Sequence, residues 1–400
     1  MTEGTAAGEI VYCEGWDPAT QSVVGPLPAE VARGRDAAGE QYAVLITGDR
    51  PLALFEVCWA AHHVAVWRLD ERGRRDGVLR LRRLPALDGE RTDRLALLSA
   101  EEWRYTEDSA EFDESVPHAT AEHTTDGDGS IGSRNGWPVD AMPLGITRRI
   151  RPLPAFGEWA RLGRLAEVLG GPVALTTAAD PAVAEPVAAP WRPPEPLRPR
   201  WLDEMFRPGA RFTDDEGLIE VEQRPGPELW LPSGRLIAAD PNPWMHEIEP
   251  YVDTVEPGKY PVTVAVAHFG GGRPDTRVAA GKIVISEAPV VSWEPALRTG
   301  DDPLMLGDGE FFGFAVDAGC VALVDAEIAE SYEDTIEDHY DNLTELVNEV
   351  PEPESGANLI TVSSGWGDGA YPMWAGRAAD SSVSCFVADF LVLHRAEPVR

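Results

Sequence analysis

The chain has 400 residues, 43% hydrophobic and 26% charged, the composition of a folded globular protein long enough for two or three domains. Its 34 Lys and Arg face 68 Asp and Glu, a formal net charge of −34, which disfavours nucleic acid and anionic membranes as partners. No apolar run approaches membrane-spanning length, the first residues lack the basic and apolar regions of a secretory signal, and Cys13, Cys58, Cys320 and Cys385 are too scattered for a disulfide framework or zinc knuckle. A reducing cytoplasm is therefore the expected location.

Residues 42–103 read mainly as strands. Tyr42–Thr47, Leu52–Trp59 and Val64–Leu69 are short runs rich in β-branched and aromatic residues. Asp70–Gly77 has turn chemistry, and in Val78–Leu84 Leu79 and Leu81 alternate with Arg80 and Arg82, which predicts an antiparallel hairpin with one wet face. Thr106–Ser133 is acidic and poor in large apolar side chains, so a long mobile loop is expected. Within it, Asp126–Ser130 mimics the start of a calcium loop. It carries Ile131 where that loop needs glycine and Trp137 where it needs glutamate, and reads as solvated chain. Residues 156–169 repeat apolar side chains at steps of three or four and end at Gly170 and Gly171, predicting a helix. Seven prolines between Pro181 and Arg200 preclude a core strand or helix there. The expected organisation is a β-rich domain over 1–180, a stiff linker over 181–200 and a second domain over 201–400.

Beyond the linker, short strand candidates alternate with turns such as PSGR, EPGKYP, GGGRPD and GWGDG. Asp325–Val350 interrupts them with an apolar stripe of Ala329, Tyr332, Ile336, Tyr340, Leu343 and Val347, which predicts one acidic amphipathic helix. The expected fold class is α+β and β-rich. Its C-terminal part is a β-sandwich-like or rolled antiparallel sheet with that helix, and its N-terminal part a β-rich domain.

Residues from about 212 to 395 include LWLPSGRLIAADP (229–241), VEPGKYPVTVAVAHF (255–269), RVAAGKIVISEAPVVSWEPAL (277–297), FGFAVDAG (312–319), SSGWGDGAYPMWAG (363–376) and VADFLVL (387–393). In these pieces the chain resembles the bacterial domain of unknown function 4241 family. The resemblance implies a β-rich fold shaped by Gly, Pro, Trp and Asp at its turns, and it carries no activity, cofactor or catalytic residue with it. The first 200 residues carry no such resemblance.

Three constellations bear chemistry. In SSGWGDGAY, three glycines permit close backbone approach, Trp366, Tyr371 and Trp374 offer a flat wall for a small ligand, and Ser364 and Asp368 offer polar contacts; a tight β-turn explains the same residues. Asp317, Asp368 and Asp389 would form an oxygen-rich site for Mg2+ or Ca2+ if the fold gathers them, which would make a metal-dependent hydrolase; no cofactor is expected otherwise. The third is the charge itself. Lys and Arg are absent from Thr299 to Gly376, a window that holds Glu330, Glu333, Asp334, Glu337, Asp338 and Asp341 on the polar side of the expected helix. The leading expectation is a non-catalytic binding or inhibitor-type protein that presents this acidic face to a basic protein partner.

Overall fold

The computed structural model describes residues 6–86, 91–123, 129–137, 150–165, 168–169, 173–181, 187–270, 275–339, 345–352 and 355–399. The chain forms two compact units. Residues 1–195 with 304–308 make the first, and residues 196–303 with 309–400 the second.

The first unit is organised around one large sheet. Its centre is a meander of Tyr42–Thr47, Pro51–Cys58, His63–Leu69, Arg75–Leu84 and Arg94–Trp103, each antiparallel to the next. The turn between the third and fourth strands forms because the Asp70 carboxylate accepts the N–H groups of Arg72 (2.8 Å) and Arg74 (2.9 Å), while Gly73 takes φ +70°. One face of the sheet buries Tyr42, Phe55, Leu79 and Leu81 with Trp159 and Leu162 of the helix Trp159–Leu165. The other buries Leu45, Leu54, Trp67 and Val78 with Trp16 and Trp103. The hairpin therefore has no wet face across its centre, which is why runs such as YAVLIT are apolar throughout. Strand Ala6–Asp17 extends the sheet, antiparallel to Tyr42–Thr47 on one side and parallel to the outer strand Val173–Thr177 on the other.

The acidic stretch expected to be a mobile loop is more ordered than its composition implies. Strands His118–His123 and Gly129–Arg134 pair within it and extend the sheet. Ahead of them, Arg75 grips Glu111 through Nε and Nη2, both at 3.0 Å, and Arg74 donates to the Ser109 carbonyl at 2.7 Å. These arginine contacts add to apolar anchorage by Val116, which is buried in the core, and by Phe112, whose ring lies 5.1 Å from Trp103. Residues 126–128 of the calcium-loop mimic lie outside the described residues.

The second unit packs two antiparallel sheets on one core. The larger runs through Gly217–Leu231, Gly258–Phe269, Asp275–Val284, Val383–Asp389 and Gly369–Arg377. The smaller has the order Leu236–Ala239, Cys320–Asp325, Asn358–Ser363, Val347–Pro351. Leu236, Ala238, Val321, Leu323, Ile360 and Val362 of the small sheet share a cluster with Val264, Ile283, Phe386 and Trp374 of the large one. The architecture is thus α+β and mostly strand, with a curled, sandwich-like sheet system in its C-terminal half.

One element differs from expectation. Asp325–Val350 does not form a continuous helix. The strand Cys320–Asp325 ends at Asp325, 3-10 segments follow at Ala329–Tyr332 and Ile336–His339, and strand Val347–Pro351 closes the stretch. Electrostatics disfavours the continuous helix. Glu330–Asp334, Glu333–Glu337, Asp334–Asp338 and Glu337–Asp341 would stack like charges at i,i+4, and the sequence from Thr299 to Gly376 holds no Lys or Arg to alternate with them. Of the apolar stripe, Ala329, Tyr332 and Ile336 are buried without the helix, Val347 belongs to the closing strand, and Tyr340 and Leu343 lie outside the described residues.

Candidate functional site

The small sheet explains where the acidic segment sits. Its strands alternate, so Ile237, Ala239, Cys320, Ala322, Val324 and Leu359 point away from the shared core and need a cover. Ala329, Tyr332 and Ile336 provide it, together with Met245. The Tyr332 hydroxyl donates to the Val350 carbonyl at 2.9 Å and ties the segment to the sheet beneath. With its apolar side committed inward, the segment turns Glu330, Glu333, Asp334, Glu337 and Asp338 into solvent. Among the described residues, no ion pair reaches these five carboxylates. Asp341, the sixth acidic residue of the expected face, lies outside the described residues.

The SGWGDG loop connects Asn358–Ser363 to Gly369–Arg377. Ser364 is fully buried, and its hydroxyl and that of Tyr371 both donate to the Gly367 carbonyl at 2.8 Å. Gly365 takes φ +64°, and a Cβ there would lie 2.6 Å from Val392 Cγ2 and 2.9 Å from the Val278 carbonyl oxygen. Tyr371 and Trp374 belong to the core, so the three aromatics do not form a common exposed wall. Trp366 alone of them is exposed, at 56%, with its ring 5.8 Å from Phe269 and the Arg277 guanidinium 5.2 Å from its centre. Asp368 is exposed beside it. The loop is built as a tight turn that fastens two strands.

The three aspartates are placed differently from one another. The register Val316↔Gly369 brings Asp317 and Asp368, each the next residue outward, to the same end of a strand pair, and both are exposed. Asp389 is buried in the core, where loss of solvent pushes its carboxyl up to about 6, partly offset by the Leu391 N–H at 2.9 Å and the Trp374 indole beside it. Among the described residues, no three His, Cys, Asp or Glu side chains gather as metal ligands would. The four cysteines are buried and free, and burial holds the Cys320 thiol up at about 12, out of reach of thiolate chemistry at neutral pH.

A feature with no contiguous signature in the sequence lies in the same unit. A cleft of about 350 Å³ opens between the end of Leu236–Ala239 and the strand Gly313–Val316. Arg298 spans it, donating through Nη2 to the Ala238 carbonyl (2.9 Å), through Nη1 to that of Gly313 (2.6 Å) and through Nε to that of Glu249 (3.0 Å). Asp240 closes one end, its Oδ2 accepting the N–H groups of Asp317 (2.6 Å) and Ala318 (2.8 Å). Trp244, Glu247 and Ile248 form the outer wall. Trp244 is 64% exposed, abnormal for so large an apolar side chain. The walls come from three separate stretches of chain, and only the unpaired tryptophan of PNPWMHEIEP hints at them in the sequence.

The acidic segment, the SGWGDG loop and the cleft all fall within one recognisable stretch. Residues 229–388 match a family model described as Protein of unknown function (DUF4241). The matched segment carries the small sheet and much of the large one, although most of Gly217–Leu231 precedes it, and most of the first unit lies outside it. No curated protein and no solved structure matches the chain. Among the described residues, no helix is long and apolar enough to cross a membrane.

Proposed function

We propose that the protein is a non-catalytic binding protein of the inhibitor or immunity type, which holds a basic protein partner on the acidic segment of its DUF4241 region. One observation carries this reading: Glu330, Glu333, Asp334, Glu337 and Asp338 are exposed, lack ion-pair partners among the described residues, and stand on a segment pinned by Ala329, Tyr332 and Ile336. Carboxylates that satisfy no internal partner, on a backbone already ordered, bind a cationic surface without a large ordering cost. The net charge of −34 favours a basic protein over nucleic acid, and four buried, unpaired cysteines accord with a cytoplasmic location.

The test compares two acidic surfaces of one molecule. A fluorescently labelled arginine-rich peptide is titrated with the full chain at low and moderate salt. One variant carries Glu330→Gln, Glu333→Gln and Glu337→Gln; a control removes the same number of charges through Asp215→Asn, Glu216→Gln and Glu220→Gln. The first set weakens binding and flattens its salt dependence, and the control changes it little. Equal losses in both sets would mean that the peptide reads net charge alone, and the reading would fall.

A further inference from the structure

The cleft at Trp244 adjoins the acidic segment directly. Met245, next to Trp244, packs in one cluster with Ala329, Tyr332 and Ile336, so the 3-10 turn Met245–Glu247 and the acidic turns cover the same face of the small sheet. The chemistry of the cleft is asymmetric. Its one cation, Arg298, spends its donors on three backbone carbonyls and lies over the Tyr251 ring at 4.9 Å. Two carboxylates line it: Asp240 already accepts the Asp317 and Ala318 N–H groups at Oδ2 and the Asn242 amide at Oδ1 (3.4 Å), while the Glu247 carboxylate has no hydrogen-bond or ion-pair partner among the described residues. An anion would meet both carboxylates and find the guanidinium engaged. A cation with an apolar stem would meet carboxylates, the face of an exposed tryptophan and the exposed side chain of Ile248. The strand edge adds an acceptor. Because the Gly313 carbonyl bonds Arg298 and peptide groups alternate along a strand, the Ala315 carbonyl turns to the same side. The volume of about 350 Å³ is at the small end of ligand pockets, which run from about 300 to 1,000 Å³.

We propose that this cleft is the specificity pocket of the binding surface, and that it takes a single arginine or lysine side chain of the basic partner. The stem lies along Trp244 and Ile248, and the charged head reaches Glu247 and the Ala315 carbonyl, with the charge of Asp240 at the end of the cleft adding to the attraction. The inference rests on the reading of the acidic segment as a partner surface and adds to it the anchor that converts charge attraction into a register.

The experiment is calorimetric titration of the full chain with an arginine-rich peptide and with a neutral peptide of equal length. Trp244→Ala is expected to lower affinity for the arginine-rich peptide by about tenfold, the size of a central interface anchor. Glu247→Gln is expected to lower it by a smaller factor, and Trp366→Ala, which removes another exposed tryptophan, to leave it unchanged. All three side chains are solvent-facing, and equal unfolding midpoints confirm intact folds. If Trp244→Ala and Glu247→Gln bind as the parent does while neutralising Glu330, Glu333 and Glu337 weakens binding, the pocket is excluded and the acidic surface stands. If Trp366→Ala costs as much as Trp244→Ala, the pocket is likewise excluded. Absence of binding to the arginine-rich peptide at low salt overturns both.

Discussion

Asp389 is a carboxyl held where ionisation is costly. Its folded-state value of about 6 lies above the ordinary 3.8 because burial penalises the charged form. Between those values the folded protein holds a proton that the unfolded chain releases, so this residue makes stability fall as pH rises from about 4 to about 6. Above that window the penalty is constant, on the order of 3 kcal/mol. Asp389→Asn is therefore expected to raise stability at pH 7 and to differ little from the parent near pH 4, read as denaturant midpoints across the range. A parent that outlasts the Asn variant at pH 7 would mean that the carboxylate is stabilised by a charge partner. Two glycines of the adjoining loop make a second contrast. Gly365→Ala meets Val392 and the Val278 carbonyl and also strains φ, whereas Gly367 has φ +98° and open space around its missing Cβ. Gly365→Ala should cost about 2 kcal/mol or more and Gly367→Ala about 1 kcal/mol. Equal costs would show that the backbone angle alone decides.

At the scale of elements, legibility followed the range of the forces involved. Strands whose own composition demands burial, such as Tyr42–Thr47 and Cys320–Asp325, stood out because every residue in them is apolar or ends a buried run. The parallel pairing of Ala6–Asp17 with Val173–Thr177 did not, since no local feature joins residues so far apart. The acidic segment shows a subtler limit. A stripe at 329, 332 and 336 fits a helix and also successive 3-10 turns, so periodicity names the buried side without naming the backbone. The candidate site divides the same way. The acidic run was visible in the sequence; the burial of Tyr371 and Trp374 and the convergence of Asp240, Trp244 and Arg298 depend on tertiary pairing. If charge repulsion is what prevents the helix, a synthetic peptide of residues 325–350 should be largely non-helical at pH 7. It should gain helix near pH 3, where its carboxylates are neutral. Circular dichroism reads this directly, and strong helicity at pH 7 would transfer the cause to the packing on the small sheet.

The charge of the whole molecule is unevenly divided. Residues 201–400 hold 37 Asp and Glu against 12 Lys and Arg, a net −25, and residues 1–200 hold 31 against 22, a net −9. In the first half arginines answer acids at close range, as in Arg68 with Asp76 at 2.8 Å and Glu102 at 3.1 Å, and Arg35 with Glu14 at 2.8 Å. In the second half 12 basic side chains face 37 acidic ones, so most acids there have no basic residue to answer them, although Arg377 holds Asp253 and Glu294, both at 2.9 Å. Exposed ion pairs each contribute little, whereas uncompensated like charge accumulates over the surface. Self-repulsion should therefore dominate the salt response. Raising NaCl from about 10 mM to about 500 mM shortens the screening length from roughly 30 Å to under 10 Å and relieves repulsion before it weakens the half-buried pairs. The thermal midpoint at pH 7.5 is expected to rise by several degrees over that interval. Neutralising Glu330, Glu333 and Glu337 together should raise the low-salt midpoint and shrink the salt-dependent gain, because those charges sit in the stretch without Lys or Arg. A midpoint that falls with salt would show instead that ion pairs such as Arg377–Asp253 outweigh the repulsion. The acidic segment would then be a stabilised surface and not one held ready, at a cost in stability, for a cationic partner.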